Sequence, residues 1–318
     1  MVLMTKTSLV DPELARVLDK LPNFGGITLE TLADARTSLL MPPTEVPVPP
    51  GVVIEERRLP GPAGAPEIPA LLYRYTDRGP PRAALLHIHG GGYVAGNALR
   101  DDEAMRILAG NLGLVILSVD YRLAPETPFP GGHEDCYAAL VWLQRNAEAL
   151  GVDPARIGIR GNSAGGGLAA GVALMARDRG GPAIAFQLLL YPMIDDRTGV
   201  HPYAGEHVWP LAANRFGWRS LLGHEPGIAG VSPYAAPARA DNLAGLPPAF
   251  IAVGALDLFV DENIDYAKRL IAAGVPTELK VYPGAYHGFD LVPGAKVADD
   301  CKRDMQNALA RGLATRSG

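Results

Sequence analysis

Residues 156–170 read RIGIRGNSAGGGLAA, and how this stretch folds decides the architecture. It opens as a short apolar run, turns on a serine flanked by glycines, and leaves as an alanine-rich segment. Gly161-Asn162-Ser163-Ala164-Gly165 fits G-x-S-x-G, and its place after a strand and before a helix gives the pattern mechanical meaning. A serine at such an elbow takes a strained backbone geometry. Glycines two positions before and after it let strand and helix close up without Cβ clashes. The hydroxyl then projects above the sheet edge over a helix N-terminus, where negative charge is favoured. The competing reading is a tight turn that is glycine-rich only because space is short. The rest of the chain has to decide.

Working outward, short β-like runs alternate with longer amphipathic ones, the pattern of a mainly parallel sheet covered by helices in an α/β protein. Eight strands are expected, at 52–59, 67–75, 82–89, 114–121, 156–161, 184–191, 249–256 and 277–282. The first two alternate enough to be antiparallel edge strands. The later ones are nearly continuous apolar runs, as strands buried on both faces require. Helices are expected at 99–113, 133–150, 163–178, 261–275 and 298–314, with two more at 11–21 and 28–40 ahead of a proline-rich tract. Residues 195–246 break the rhythm, with no clean strand but three histidines, Trp209, Trp218 and several prolines. A stretch this long reads as a cover packed over one end of the sheet. The expected organisation is an N-terminal helical cap segment at 1–45, a first core part at 46–194, a cap insertion at 195–246, and a second core part at 247–318.

Composition narrows the function. Over 318 residues, 48% apolar and 20% charged residues are ordinary for a soluble globular protein. A net charge of -5 with interleaved signs argues against nucleic acid. No apolar run approaches bilayer length, and Asp11 and Glu13 come too early for a secretory signal. Cys136 and Cys301 give neither a disulfide framework nor a zinc pattern, so reduced thiols and a cytoplasmic address are expected. No cofactor is expected.

Three further features carry chemistry. His89-Gly90-Gly91-Gly92-Tyr93 follows the third expected strand, and three consecutive glycines suggest backbone amides turned toward an anion. Two of these, with the amide of Ala164, could form an oxyanion hole. A serine hydroxyl needs a base, and His287 follows the last expected strand in a glycine-containing loop. His89 reads as a brace for the glycine loop, and His133 as a surface or capping residue; His201, His207 and His224 are at best candidates for substrate contact. Asp257, ending its strand, is placed to orient His287, whereas Asp261 reads as a helix N-cap. The order Ser163, Asp257, His287 is that of the α/β-hydrolases. Tyr93, Trp209, Phe216 and Trp218 are candidates to line a compact substrate pocket.

Together these motifs resemble the hormone-sensitive-lipase-like esterases, bacterial family IV, within the α/β-hydrolase superfamily. The resemblance rests on His89 to Gly92, the stretch DYRLAPE from Asp120, Gly161 to Gly166, the run DLFVDE from Asp257, and His287-Gly288-Phe289. It implies a helical cap, metal-free hydrolysis of short-chain carboxylic esters, and a frequent habit of dimerising. It assigns Gly91, Gly92 and Ala164 as oxyanion donors and gives DYRLAPE a role supporting the glycine loop. This chain departs from the pattern at Asn162, where Asp or Thr is usual, and in DLFVDE, which lacks the usual proline and arginine. The rival readings are an amidase, deacetylase or lactonase with the same triad, and a non-catalytic small-molecule receptor.

Overall fold

A computed structural model describes residues 9–38, 45–77 and 79–315. Eight strands form one sheet: β1 (Val52–Leu59), β2 (Ile68–Tyr75), β3 (Arg82–Ile88), β4 (Val115–Val119), β5 (Val152–Asn162), β6 (Phe186–Leu190), β7 (Ala249–Gly254) and β8 (Thr277–Tyr282). Their order is β1-β2-β4-β3-β5-β6-β7-β8. β1 pairs antiparallel with β2, β2 antiparallel with β4, and every remaining neighbour pair is parallel. Of the two strands expected at an edge, only β1 is one. β2 is flanked on both sides, which suits its mostly buried pattern, and β8 forms the other edge.

The helices are α1 (Pro12–Ala15), α2 (Leu32–Ser38), α3 (Asp102–Leu112), α4 (Gly131–Arg145), α5 (Ala164–Asp178), α6 (Leu211–Leu222), α7 (Val260–Ala272) and α8 (Lys296–Gly312). Period-two alternation along β3 explains why both faces are covered. Ala84, Leu86 and Ile88 join the core shared with α4, α5 and α7, while Ala83 and Leu85 join the one shared with α3 and α8. Both faces being apolar, the central strands read as unbroken hydrophobic runs. Each fully buried leucine here contributes roughly 1.5–3 kcal/mol relative to exposure.

The N-terminal segment is less regular than its spacing predicts. The expected helix at 11–21 is one turn capped by Asp11, whose Oδ1 accepts from the Glu13 and Leu14 amides at 2.8 and 3.3 Å, followed by a 3-10 turn at Leu18–Lys20. The helix expected at 28–40 starts only at Leu32, and residues 39 and 40 lie outside the described residues. The stretch at 195–246 contains α6, which packs against the 3-10 turn Phe24–Gly26.

His133 is not a surface or capping residue. It sits in the first turn of α4, fully buried, edge-on to Phe129 at 5.0 Å, with neither ring nitrogen hydrogen-bonded among the described residues. Burial pushes its imidazole down to about 3, and that of His89 down to about 4. Both are therefore neutral when folded and take up a proton when unfolded below about 6.5. Their folded values are depressed, so stability is fully present above that value and is lost as pH falls through it. Each costs about 2 kcal/mol by about pH 5. His133→Phe is expected to flatten this acid limb by roughly one proton's worth, measured by urea denaturation at stepped pH.

Candidate functional site

Ser163, Asp257, His287 and the glycine loop each follow the carboxyl end of a parallel strand, where an open α/β sheet leaves a crevice. Ser163 follows β5 and precedes α5, with φ 56° and ψ -123°. That backbone is held from both sides. The Ser163 amide donates to the Leu190 carbonyl at 2.9 Å, and the Ser163 carbonyl accepts from the amides of Gly167 and Met193 at 3.0 Å each. The flanking glycines are sterically obligatory. A Cβ on Gly161 would lie 2.1 Å from the Gly165 carbonyl oxygen, and one on Gly165 would lie 2.1 Å from that of Ile88.

The structure brings the three predicted side chains together. His287 Nε2 lies 2.9 Å from Ser163 Oγ, and His287 Nδ1 lies 2.8 Å from Asp257 Oδ2. Asp257 is fully buried, and its Oδ1 accepts from the Phe259 amide at 2.9 Å. With Nδ1–H donated to the carboxylate, Nε2 is the lone-pair nitrogen facing the serine hydroxyl. The imidazole is wedged between Tyr191, centroids 4.6 Å apart, and Phe259, 5.3 Å away and edge-on. Asp261 is neither acid nor N-cap: Phe259 precedes the helix, and Asp261 lies in the first turn of α7, facing solvent 3.9 Å from His201.

The glycine loop approaches the serine directly. A Cβ on Gly90 would meet the Asn162 carbonyl at 2.8 Å, and one on Gly92 would meet the Trp209 ring at 2.1 Å. The amides of Gly91, Gly92 and Ala164 find no protein acceptor among the described residues. His89 braces the loop: its Nδ1 bonds the Gly90 carbonyl at 2.8 Å, and its ring stacks on Tyr121 at 4.3 Å. The stretch from Asp120 supports it from behind. Tyr121 donates its hydroxyl to the His89 carbonyl at 3.1 Å, and the Ala124 amide bonds the Tyr93 carbonyl at 3.0 Å.

A model of the alpha/beta hydrolase fold matches residues 85–291. The chain belongs to that family, in its hormone-sensitive-lipase-like branch. It is 37% identical over 287 residues to carboxylesterase NlhH of Mycobacterium tuberculosis, covering 88% of each chain. It is 36% identical over 303 residues to esterase LipI of the same organism, covering 91% of this chain and 92% of that one. Among solved structures, a bacterial heroin esterase superposes with a TM-score of 0.91 at 39% identity, covering 98% of this chain and all of the other.

In this α/β-hydrolase a cavity of about 190 Å³ opens above Ser163 and His287. Val17, Leu21 and Phe24 of the N-terminal segment form one part of its wall, Val208 and Trp209 another, and Leu291 and Val292 a third. Of the four aromatics expected there, only Trp209 lines it. Tyr93 has φ 67°, which turns its side chain inward, where its hydroxyl donates to the Met193 carbonyl at 2.7 Å. Trp218 is fully buried, 5.2 Å from the Tyr93 ring, and Phe216 faces a separate outer groove beside Pro125 and Arg219. Trp209 precedes α6, whereas the other two sit within it on faces that the helix directs elsewhere. None of His201, His207 and His224 lines the cavity.

Sequence reasoning missed Tyr191, Asn162 and Arg100, which do line it. Tyr191 was within reach, because it ends β6 at the same sheet edge as the other groups. The motif run from Asp257 has a structural member as well. Glu262 accepts from the amides of Ile194 at 2.8 Å and Asp195 at 3.2 Å, which pins the chain leaving β6.

The elbow supplies a steric prediction. Gly165→Ala places a methyl against backbone that cannot move cheaply, so it is expected to cost about 3 kcal/mol or more. Gly26→Ala puts the same methyl into open space and is expected to stay within about 0.5 kcal/mol. Urea denaturation of the two variants checks this.

Proposed function

We propose that the protein is a serine carboxylesterase that hydrolyses short-chain carboxylic esters through an acyl-enzyme on Ser163. The observation that carries this reading is the hydrogen-bonded line from Ser163 Oγ through His287 to Asp257, with contacts of 2.9 and 2.8 Å. It is supported by the carboxylesterase and esterase names of its relatives.

Ser163 Oγ attacks the ester carbonyl carbon while His287 Nε2 takes its proton. The carbonyl oxygen becomes an oxyanion, held by the amides of Gly91, Gly92 and Ala164. Among the described residues these amides hold no protein acceptor, and such a donor is typically worth roughly 3 kcal/mol at the transition state. Asp257 keeps the Nδ1 proton on His287 and stabilises the imidazolium. As the carbon–oxygen bond of the ester breaks, His287 protonates the departing alkoxide. A water then gives its proton to His287 and attacks the acyl carbon, releasing the acid and restoring Ser163.

The segments at 1–45 and 195–246 act in this reading as the cap that shapes the acyl and alcohol sites. A cavity of about 190 Å³ lies below the usual range of roughly 300–1,000 Å³ for drug-sized ligands, which favours short chains. The buried thiols of Cys136 and Cys301 suit a cytoplasmic enzyme.

Wild-type protein is expected to turn over p-nitrophenyl acetate and butyrate, with kcat/KM falling toward the palmitate ester. Ser163→Ala should lose at least about 10⁴-fold and Asp257→Asn about 10⁴-fold in kcat. Full turnover by the Ser163 variant would exclude the mechanism. Anilides matched to the preferred esters are expected to react far more slowly, and an anilide preference would make the enzyme an amidase.

A further inference from the structure

The turn that follows the glycines is gripped from outside by one side chain. Arg36 stands in the last turn of α2, a helix anchored to the core by buried Leu32. Its guanidinium reaches the glycine loop, where Nε donates to the Val94 carbonyl at 2.7 Å. Nη2 donates to the Ala124 carbonyl at 3.2 Å, in the stretch behind the loop. Nη1 and Nη2 also fork onto the two carboxylate oxygens of Glu126, at 2.7 Å each. Arg36 holds the Glu126 carboxyl below the usual carboxylate range, so the pair is charged at neutral pH. An exposed ion pair of this kind contributes little by itself. The bond to Val94 differs, because there a charged donor meets the backbone of a fully buried residue.

From Val94 a line of hydrogen bonds runs to the cavity. The Val94 carbonyl shares its peptide unit with the Ala95 amide, which donates to the Gly91 carbonyl at 3.0 Å. The Val94 amide donates to the same carbonyl at 3.1 Å. The Gly91 carbonyl shares its unit with the Gly92 amide, and Gly92 lines the cavity beside Ser163. Both units are trans and planar, so holding the carbonyl on one side aims the amide of that unit to the other. A guanidinium at the outer end also polarises the first peptide, which makes Ala95 N–H a stronger donor and so polarises the second. Such strengthening is on the order of 10–30% per bond.

We propose that Arg36 is a positioning residue for the oxyanion hole, fixing and polarising the Gly92 amide through two peptide units. The inference rests on the esterase reading and deepens it by naming a residue that acts through others. Arg36 does not line the cavity, so it changes how the transition state is held and leaves substrate binding nearly alone.

Kinetics with p-nitrophenyl butyrate and amide NMR test it together. Removing an oxyanion donor outright costs about 10²–10³ in kcat, so slackening one costs less. Arg36→Gln is expected to lower kcat about tenfold with KM within about twofold. Arg36→Lys keeps a charged donor and should fall between the two proteins. Glu126→Gln breaks the charged fork but leaves the Val94 bond, and should cost no more than about threefold in kcat. A raised KM with kcat unchanged in Arg36→Gln, or an equal loss of kcat in Glu126→Gln, would overturn the proposal, because either makes the arginine a tether for α2 alone. Amide spectra separate this from failure of the esterase reading, since they need no turnover. In isotope-labelled protein the Ala95 and Gly92 amide protons should move upfield in Arg36→Gln, partly so in Arg36→Lys, and hold their wild-type positions in Glu126→Gln. Unmoved signals in both Arg36 variants would sink the assignment even if the wild type hydrolyses the ester. Moved signals in a protein without ester turnover would uphold the line from Arg36 to Gly92 and strike the esterase reading instead.

Discussion

The structure depends on one strained point, the left-handed backbone of Ser163 at the end of β5. Non-glycine residues held there cost on the order of 1–3 kcal/mol each and persist only when their surroundings over-determine them. Ser163 is over-determined by three backbone hydrogen bonds and by two glycines that no larger residue could replace. The strain is not isolated. Among the described residues, the non-glycine positions with positive φ are Tyr93, Ser163, Tyr191 and Val208. Three of these line the cavity, and the fourth ends the glycine loop. The rest of the sheet, with β3 to β7 buried on both faces, is the rigid body against which this local cost is set.

Electrostatics follows from the same placement. A fully buried Asp257 carboxylate is tolerable only with donors in contact, and it has two, the Phe259 amide and His287 Nδ1–H. Those donors also fix which nitrogen of His287 faces the serine. Elsewhere the chain uses burial to keep imidazoles neutral. His89 and His133 are both depressed by desolvation, so neither competes for protons with the site beside His89. Beneath the glycine loop, Arg160 of β5 bonds His87 Nδ1 at 2.9 Å while Asp101 takes Nε2 at 2.8 Å. A cation, a neutral ring and an anion are thereby joined across two central strands without crossing into the cavity.

Strands and triad were legible because each is encoded locally. β1 and β8 coincide with their expected limits, and the other strands overlap theirs, since alternation and apolar runs are short-range signals. Ser163, Asp257 and His287 each follow a strand, so strand positions alone put them at one edge. The wall aromatics were not legible, because burial depends on backbone direction as much as on residue type. Tyr93 follows the glycines and should face the substrate by proximity, yet its positive φ sends the ring into the core. Arg100 falls inside the helix expected at 99–113, where nothing local points to a cavity. Only the tertiary return of residues 17–24 and 291–293 closes a cavity around it.

Chemistry and selection are thus written differently in this chain, but they are not mechanically independent. The cavity wall touches the glycine loop directly, the Trp209 ring lying where a Cβ of Gly92 would be. Glycine at that position lets an indole pack flush on the peptide that carries one of the proposed oxyanion amides. Trp209 is itself set by the strained Val208 before it and by Phe24, whose ring lies 5.8 Å away. A shift in the N-terminal segment therefore passes through Phe24 and Trp209 to the peptide at Gly92 without moving the sheet. In the proposed reading, the cover that sets which esters enter also holds the donor geometry, so changes there are expected to couple to turnover as well as to binding.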